Sequence, residues 1–224
     1  MTATRPAPTV LTGRFVRLEP FDAEAHTDGL FAALAHPEVF AGGYGGGPAG
    51  LPADRAAFGD WVAGYGNADD ARKFVVRLIG GADGGGGAGD ADGVGGTIVG
   101  ASTLGDLDER TEQLQLGWTG YDPRVWGTAV NPETKLLLLG HAFTHGYGRV
   151  KIQADSQNDR SRAAILKLGA TFEGVLRRDR VRADGTFSGT AVHSILIDEW
   201  PAVRAGLEAR LARHTAPIEL ADRS

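Results

Sequence analysis

The sequence of 224 residues contains no cysteine and a single methionine. Without cysteine, the chain has no disulfide, no thiolate metal ligand and no cysteine nucleophile. It also lacks an apolar run long enough to cross a bilayer, and its opening segment lacks the apolar core of a signal peptide. These absences predict a cytosolic protein without a membrane partner, although the lack of cysteine is equally compatible with export.

Positive charge is scarce as well, since 23 basic residues stand against 28 acidic ones and the net charge is −5. An acidic chain attracts polyanions weakly, so a nucleic acid is not an expected partner. The histidines show no metal-ligand spacing, and the aspartates of a glycine-rich stretch lack the terminal acid of a calcium loop. No metal site is therefore predicted, and the apolar content of 42% is that of a globular domain.

The stretch from Leu114 to Gly148 has the pattern of a strand, a glycine-containing turn and a helix. Leu116 and Trp118 continue an alternation of apolar residues with polar residues or glycine, which is typical of a strand. Gly117 interrupts this strand. A glycine inside a strand often marks a bulge or the close approach of a ligand, so we look for chemistry here.

The helix after this strand is predicted to begin with Asn131 as its N-cap and Pro132 at its first position. Its leucine-rich sequence leaves almost no polar face, which predicts a buried helix. The free N–H groups at a helix start form an anion site, and Gly127 would allow close approach of a ligand. Local spacing alone fits a plain strand-to-helix connection equally well.

The whole chain is predicted to fold in the order strand, two helices, three strands, helix, strand, helix, two strands and helix. Asp22 and Asn158 are predicted as N-caps, Tyr44 lies in a loop that could line a cleft, and residues 80–96 form a flexible glycine-rich loop. We divide the chain into an extension at 1–11, a domain at 12–213 and a tail at 214–224 that we expect to fray.

Three runs of sequence carry a resemblance to a known family. They are Trp126-Gly127-Thr128-Ala129-Val130-Asn131 with Lys135, Asn158-Asp159-Arg160-Ser161, and the run from Leu168 to Arg177. In this order they resemble the GNAT superfamily of acyl-CoA-dependent N-acyltransferases, most closely its RimJ/RimL branch of ribosomal-protein N-acetyltransferase-like enzymes. The resemblance spans most of the chain and implies an α+β fold, a three-layer α/β sandwich with a mixed, mostly antiparallel sheet flanked by helices.

The resemblance also implies where acetyl-CoA binds. The co-substrate would lie in a V-shaped opening between the strand that contains Gly117 and the strand that begins at Arg149. Backbone groups of Trp118, Thr119 and Gly120 would pair with the pantetheine arm. The pyrophosphate would be held by N–H groups of Gly127, Thr128, Ala129 and Val130, with Trp126, Asn131, Lys135, Asn158 and Ser161 completing the cofactor-binding set. Arg124 and Arg162 are further candidates for a phosphate contact.

The sequence departs from the family pattern at two catalytic positions. Many relatives carry a glutamate base where Gln115 stands and a tyrosine acid where Ile165 stands. Glutamine cannot accept a proton, and the role of the acid falls to Ser161. The candidates for the base are Glu112, His193, Asp106 and Asp108. Glu112 and Ser161 form the predicted catalytic pair.

The resemblance implies an N-acetyltransferase that moves an acetyl group from acetyl-CoA to a primary amine. Without cysteine, a thiol-linked acyl-enzyme is impossible, which favours direct attack in a ternary complex. The acceptor is left open between a protein N-terminus and a small-molecule amine. Two alternatives stay open, namely a catalytically inactive CoA-binding regulatory module and a transferase for a longer acyl group such as succinyl. The resemblance allows a homodimer, and the sequence does not decide this.

Overall fold

The structure is a computed structural model, which describes residues 2–66, 71–79 and 96–220. The glycine-rich loop predicted at residues 80–96 lies outside the described residues except for its last position. The strands are β1 (Leu11–Thr12), β2 (Val16–Pro20), β3 (Arg72–Leu78), β4 (Ile98–Asp108), β5 (Gln113–Tyr121), β6 (Arg149–Asp155), β7 (Thr171–Val181) and β8 (Phe187–Leu196). The helices are α1 (Ala23–Leu34), α2 (Pro37–Phe40), α3 (Arg55–Gly64), α4 (Val130–Thr144), α5 (Asp159–Leu166) and α6 (Trp200–Leu211).

The eight strands form one sheet in the order β1-β2-β3-β4-β5-β6-β8-β7. Neighbouring strands are antiparallel except for β5 and β6, which are parallel. This parallel pair is short, because residues 113–115 of β5 pair with residues 149–151 of β6 and the strands then diverge. The register therefore confirms the mixed, mostly antiparallel sheet and the V-shaped opening that the sequence predicted.

Helices cover both faces of the sheet. Val75 and Val76 of β3 are both fully buried, yet they belong to different core clusters because successive side chains of a strand point to opposite faces. The larger cluster contains the apolar sides of α4 and α6, and the smaller cluster contains those of α1, α2 and α3. The three layers of the predicted sandwich are thus present, with the sheet in the middle.

The start of α4 differs from the prediction. The helix begins at Val130 with Ala129 as its N-cap, and no side chain caps it, so the assignment of Asn131 as the N-cap is wrong. The Val130 N–H instead donates to the Thr128 hydroxyl at 3.3 Å. The chain is thus helical one residue before Asn131, which becomes part of the first turn.

Glu133 in the first turn of α4 anchors the β1–β2 turn. Its carboxylate is buried and accepts hydrogen bonds from the N–H groups of Arg14, Phe15 and Val16 at 2.8, 2.6 and 2.8 Å. Gly13 permits this contact, because a Cβ at that position would lie 2.4 Å from the Glu133 carboxyl carbon. Glu133 therefore fixes the β1–β2 turn to the start of α4.

Both ends of the chain pack against the domain. Near the N-terminus, Ala3 is buried, and the Thr4 N–H donates to the His145 carbonyl at 2.8 Å. Near the C-terminus, Ile218 and Leu220 pack against the larger core cluster. The expected fraying of the tail stays a prediction, with these two apolar side chains as the contacts that any fraying must break. Among the described helices, none is long and apolar enough to cross a membrane.

Candidate active site

The opening between β5 and β6 forms a cavity of about 280 Å³. Its walls come from β5, β6, the turn before α4, the first two turns of α4, α5 with the residues just after it, and α2 with the loop that follows. The predicted cofactor-binding residues that line it are Trp118, Thr119, Gly120, Trp126, Gly127, Asn131, Lys135, Asn158 and Ser161. Thr128, Ala129 and Val130 lie behind this surface in the turn. The structure thus brings most of the predicted set together.

A β-bulge at Trp118 shapes the β5 wall of the cavity. Ala101 pairs with Gly120 and Thr103 pairs with Gly117, so two residues of β5 stand opposite one residue of β4. Trp118 adopts a φ of 49°, a conformation that costs energy for a large side chain. Beyond residue 115, β5 has no β6 partner, which leaves its backbone edge open to an added extended ligand.

The turn before α4 presents unbonded backbone N–H groups. Gly127 has a φ of 79°, and this left-handed backbone, rather than lack of space, explains the glycine, since an added Cβ would meet no atom within 4 Å. Within the described residues, the N–H groups of Gly127, Ala129 and Asn131 make no hydrogen bond, whereas those of Thr128 and Val130 bond inside the turn. Together with the positive end of the helix dipole, these groups form an anion site.

Arg160 is a cation of the cavity that the sequence reasoning did not single out. Its guanidinium lies 3.8 Å from the centroid of the Trp126 ring, which places both side chains beside the anion site. Of the two arginines proposed from sequence, Arg124 bonds to the buried Asp122 at 2.7 Å. Arg162 donates to a backbone carbonyl of the β6–α5 connection at 3.2 Å. Arg160 lies within the Asn158–Ser161 motif, so this motif was the sequence signal that could have identified it.

Asn158 joins α5 to the glycine-rich loop after α2. Its Oδ1 accepts the Ser161 N–H at 3.0 Å, which confirms Asn158 as the N-cap, and its Nδ2 donates to the Gly42 carbonyl. Tyr44 of the same loop lies directly against Gly120, where an added Cβ would be 2.7 Å from the ring. Tyr44 also lines the cavity, so its expected contribution to a cleft is confirmed.

Lys135 reaches the cavity from the second turn of α4. Its side chain is buried, and Nζ lies 2.7 Å from the Thr119 hydroxyl and 3.3 Å from the Ser102 hydroxyl. The two hydroxyl oxygens are themselves 2.7 Å apart. Burial lowers the pKa of Lys135 to about 7. Three side chains from three different elements therefore form one hydrogen-bonded group at the cavity wall.

Glu112 does not lie at the cavity. It belongs to the turn between β4 and β5, and its carbonyl accepts the Gly148 N–H at 2.8 Å. Leu116 is the first residue of β5 in the cavity wall, and at strand spacing the four residue steps from Glu112 to Leu116 span about 13 Å. We therefore do not carry Glu112 forward as the base.

The other acids and the histidine named from sequence also lie elsewhere. Asp106 pairs with Lys151 at 3.2 Å, and the Asp108 carboxylate accepts N–H groups of its own turn. His193 is fully buried within the β-sheet, where burial lowers the pKa of its ring. In the described part of the chain, no aspartate, glutamate or histidine lines the cavity.

Comparison with known proteins gives the class that this fold and site define. The Acetyltransferase (GNAT) domain family matches residues 16–171. This chain belongs to the GNAT acetyltransferase family. The membership and the enzyme class that the sequence predicted are thereby confirmed. No curated protein sequence matches the chain significantly.

Solved structures agree with this assignment. A GCN5-related N-acetyltransferase from Brucella melitensis superposes with a TM-score of 0.79 at 28% identity, over 94% of this chain and 88% of that chain. A T. thermophilus protein described as an acetyltransferase gives 0.76 at 32% identity, over 92% and 98%. Mycobacterium smegmatis RimJ in complex with CoA-disulfide gives 0.66 at 20% identity, over 91% and 95%, and shows a shared fold.

Proposed function

We propose that the protein transfers an acetyl group from acetyl-CoA to a primary amine by direct attack in a ternary complex. The observation that carries this proposal is the V-shaped opening, which runs directly into unbonded N–H groups at the start of α4. The members of the GNAT acetyltransferase family use acetyl-CoA. Binding of a pyrophosphate requires N–H donors and a cation, and binding of a pantetheine arm requires an open strand edge. This cavity offers all three.

The residues of the cavity can be assigned to two parts of the co-substrate, the pyrophosphate and the pantetheine arm. We assign the pyrophosphate to the N–H groups of Gly127 and Asn131, which line the cavity, with Arg160 as the cation. We assign the pantetheine arm to the backbone of β5 from Trp118 to Gly120, where β6 no longer pairs. Both assignments use groups that lie in the turn or on the wall of one continuous cavity.

The thioester chemistry requires a neutral amine, a polarised carbonyl and a proton for the departing thiolate. Ser161 lines the cavity from the first turn of α5, and we assign its hydroxyl to the protonation of the thiolate. Ile165, which stands where many relatives carry a tyrosine, forms part of the apolar wall one turn further along. Ser161 is therefore the one hydroxyl side chain that α5 supplies to the cavity.

The acceptor amine and the acyl group are tested in one assay. Release of CoA thiol from acetyl-CoA is followed with a panel of small amines and peptides that carry a free N-terminus. We expect release with at least one acceptor, together with a mass increase of one acetyl group on that acceptor. Binding of CoA without thiol release for any acceptor would instead support a regulatory module, which the buried Gln115 favours because glutamine takes no proton.

Transfer of a longer acyl group is the second candidate, because both charged side chains that line the described cavity, Lys135 and Arg160, are cations. Such cations could pair with the free carboxylate of a succinyl group. Competition between acetyl-CoA and succinyl-CoA for the same acceptor separates the two donors. A preference for acetyl-CoA supports the proposal, and a preference for succinyl-CoA overturns the choice of acyl group.

Two glycines provide a matched test of the anion site. Gly127 and Gly185 have φ values of 79° and 81°, and an added Cβ would meet no atom within 4 Å at either position. Replacing either residue with alanine should therefore cost a similar amount of stability. We expect Gly127→Ala to weaken CoA binding by about tenfold through a shift of the turn, and Gly185→Ala, in the β7–β8 turn, to leave CoA binding unchanged. Equal CoA affinity for both variants would contradict the assignment.

A further inference from the structure

An amine acceptor is an ammonium ion at neutral pH, so the reaction requires a group that removes a proton. The titratable or charged side chains that line the described cavity are Tyr44, Tyr121, Lys135 and Arg160. Arginine keeps its charge, and burial raises the pKa of both phenols. Lys135 is therefore the one described group at this surface that can change its protonation near neutral pH.

The surroundings of Lys135 allow both of its protonation states. From β5 and β4, the packed neighbours of Nζ are the hydroxyls of Thr119 and Ser102, each of which can donate or accept a hydrogen bond. The nearest acid along its own helix, Glu133, is already bonded to the N–H groups of the β1–β2 turn. From α5, the charged group in the same cavity is Arg160, a cation, which does not favour the protonated lysine.

We propose that Lys135 accepts the proton of the acceptor ammonium, relayed through the Thr119 hydroxyl, which lies on the cavity surface within 2.7 Å of Nζ. This inference rests on the proposed function. The ammonium loses one proton to Lys135, the neutral nitrogen forms the C–N bond and the C–S bond breaks. The nitrogen then loses a second proton, the thiolate gains one, and Lys135 returns its proton to solvent.

The relay predicts the effect of pH on the rate. Burial lowers the pKa of Lys135 to about 7, so roughly half of the free enzyme holds a neutral lysine at that pH. The value of kcat/KM should therefore fall as the pH drops below about 7. Titration of the acceptor amine adds a second pH-dependent region to the profile of kcat/KM. This region is the same for every variant measured with the same amine.

The experiment compares Lys135→Arg, which keeps a positive charge that cannot be lost, with Lys135→Met, which keeps the length of the side chain. Lys73→Met is the matched control, because Lys73 is also buried but lies on β3, away from the cavity. With the best amine of the panel, we expect both Lys135 variants to lose about a hundredfold in kcat/KM and to lose the limb near pH 7. The control should keep the wild-type profile, and CoA affinity should change little in all three.

Three outcomes separate the possibilities. A Lys135→Arg variant with the wild-type rate and pH profile would overturn the relay while leaving the proposed function intact. A wild-type protein that releases no thiol with any amine would instead overturn the proposed function itself. If neither Lys135 variant binds CoA, the variant Thr119→Val tests the relay instead, because it keeps the lysine and removes the relaying hydroxyl. We then expect about a tenfold loss in kcat/KM, and an unchanged rate would contradict the proposal.

Discussion

Lys73 and Lys135 are two buried lysines, 7% and 5% exposed, placed in different surroundings. Nζ of Lys73 donates to the carbonyls of Val62 and Tyr65 at the end of α3, and it lies 4.1 Å from the centroid of the Phe21 ring. Nζ of Lys135 contacts two hydroxyls. Burial lowers the pKa of Lys73 to about 8 and that of Lys135 to about 7.

The partners of the two lysines explain why the same burial leads to different roles. Carbonyl oxygens only accept hydrogen bonds, and an aromatic face attracts a cation, so the site of Lys73 favours the ammonium form. Hydroxyls accept from an ammonium and donate to a neutral amine, so the site of Lys135 accommodates both forms. Lys73 thus holds the end of α3 on the sheet, whereas Lys135 can gain and lose a proton at the cavity.

The pH dependence of stability is the largest effect that tests this comparison. Lys135 has an ordinary pKa of 10.5 in the unfolded chain and about 7 in the folded one, so between these values the unfolded chain binds more protons. The free energy of unfolding therefore rises with pH in this window. Urea unfolding at pH 7 and about 9.5 should show a rise that is about 3 kcal/mol larger in the wild type than in Lys135→Met. Equal rises would mean that Lys135 has an ordinary pKa in the fold.

Removal of Lys73 should cost more stability at pH 7 than removal of Lys135. The variant Lys73→Met leaves the carbonyls of Val62 and Tyr65 without their lysine donor, and we expect a loss of about 2 kcal/mol. Lys135→Met also removes the cost of burying a charge, so its net change should be smaller. Urea unfolding of both variants at pH 7 provides the measurement. A larger loss of unfolding free energy for Lys135→Met would contradict the assignment of the structural role to Lys73.

Chemical labelling should distinguish the two amines directly. A neutral amine reacts with acetic anhydride, and Lys135 lines the cavity that we assign to acetyl-CoA. Its labelling, followed by peptide mass spectrometry, should titrate with a midpoint near pH 7 and slow several-fold with saturating CoA. Lys73 lies outside the cavity, so its labelling should not respond to CoA. Protection of both lysines would indicate a general tightening of the fold instead.

The aromatic contact of Lys73 gives the smallest expected effect. Phe21→Leu keeps an apolar side chain but removes the ring below Nζ, and we expect a loss of about 0.5–1 kcal/mol in unfolding free energy at pH 7. The pH profile of thiol release should stay as in the wild type, because Lys135 is untouched. A change in that profile would show that the two lysines are coupled.

Local patterns predicted much of the fold because their causes act within a few residues. The N-cap roles of Asp22 and Asn158 are confirmed, since each side chain accepts the N–H three residues ahead. The interruption of the strand at Gly117 is confirmed as a bulge centred on Trp118. Asn131 failed as a cap because the helix already begins at Val130, which places Asn131 inside the first turn, and the residue type alone does not reveal where the helix begins.

Only part of the candidate site could be predicted, because sequence patterns act within a few residues. The turn before α4 and the Asn158–Ser161 motif are continuous in sequence, so their contribution to one cavity could be inferred from motif order. The base could not be inferred in this way, because Glu112, which the sequence placed on the strand of the site, lies in the turn before β5 and away from the cavity. Arg160 was likewise visible in the motif, but its contact with Trp126 depends on how α5 packs.

By itself, the sequence determined the family, the alternation of the strands and the N-caps Asp22 and Asn158, because each can be recognised in short runs of residues. Tertiary structure alone decided that Lys135 meets Thr119 and Ser102, and that Glu133 is used by the β1–β2 turn. These contacts join elements that are distant along the chain. Hydrogen bonding and burial at such a meeting point depend on the packing of whole elements, which local periodicity and spacing do not specify.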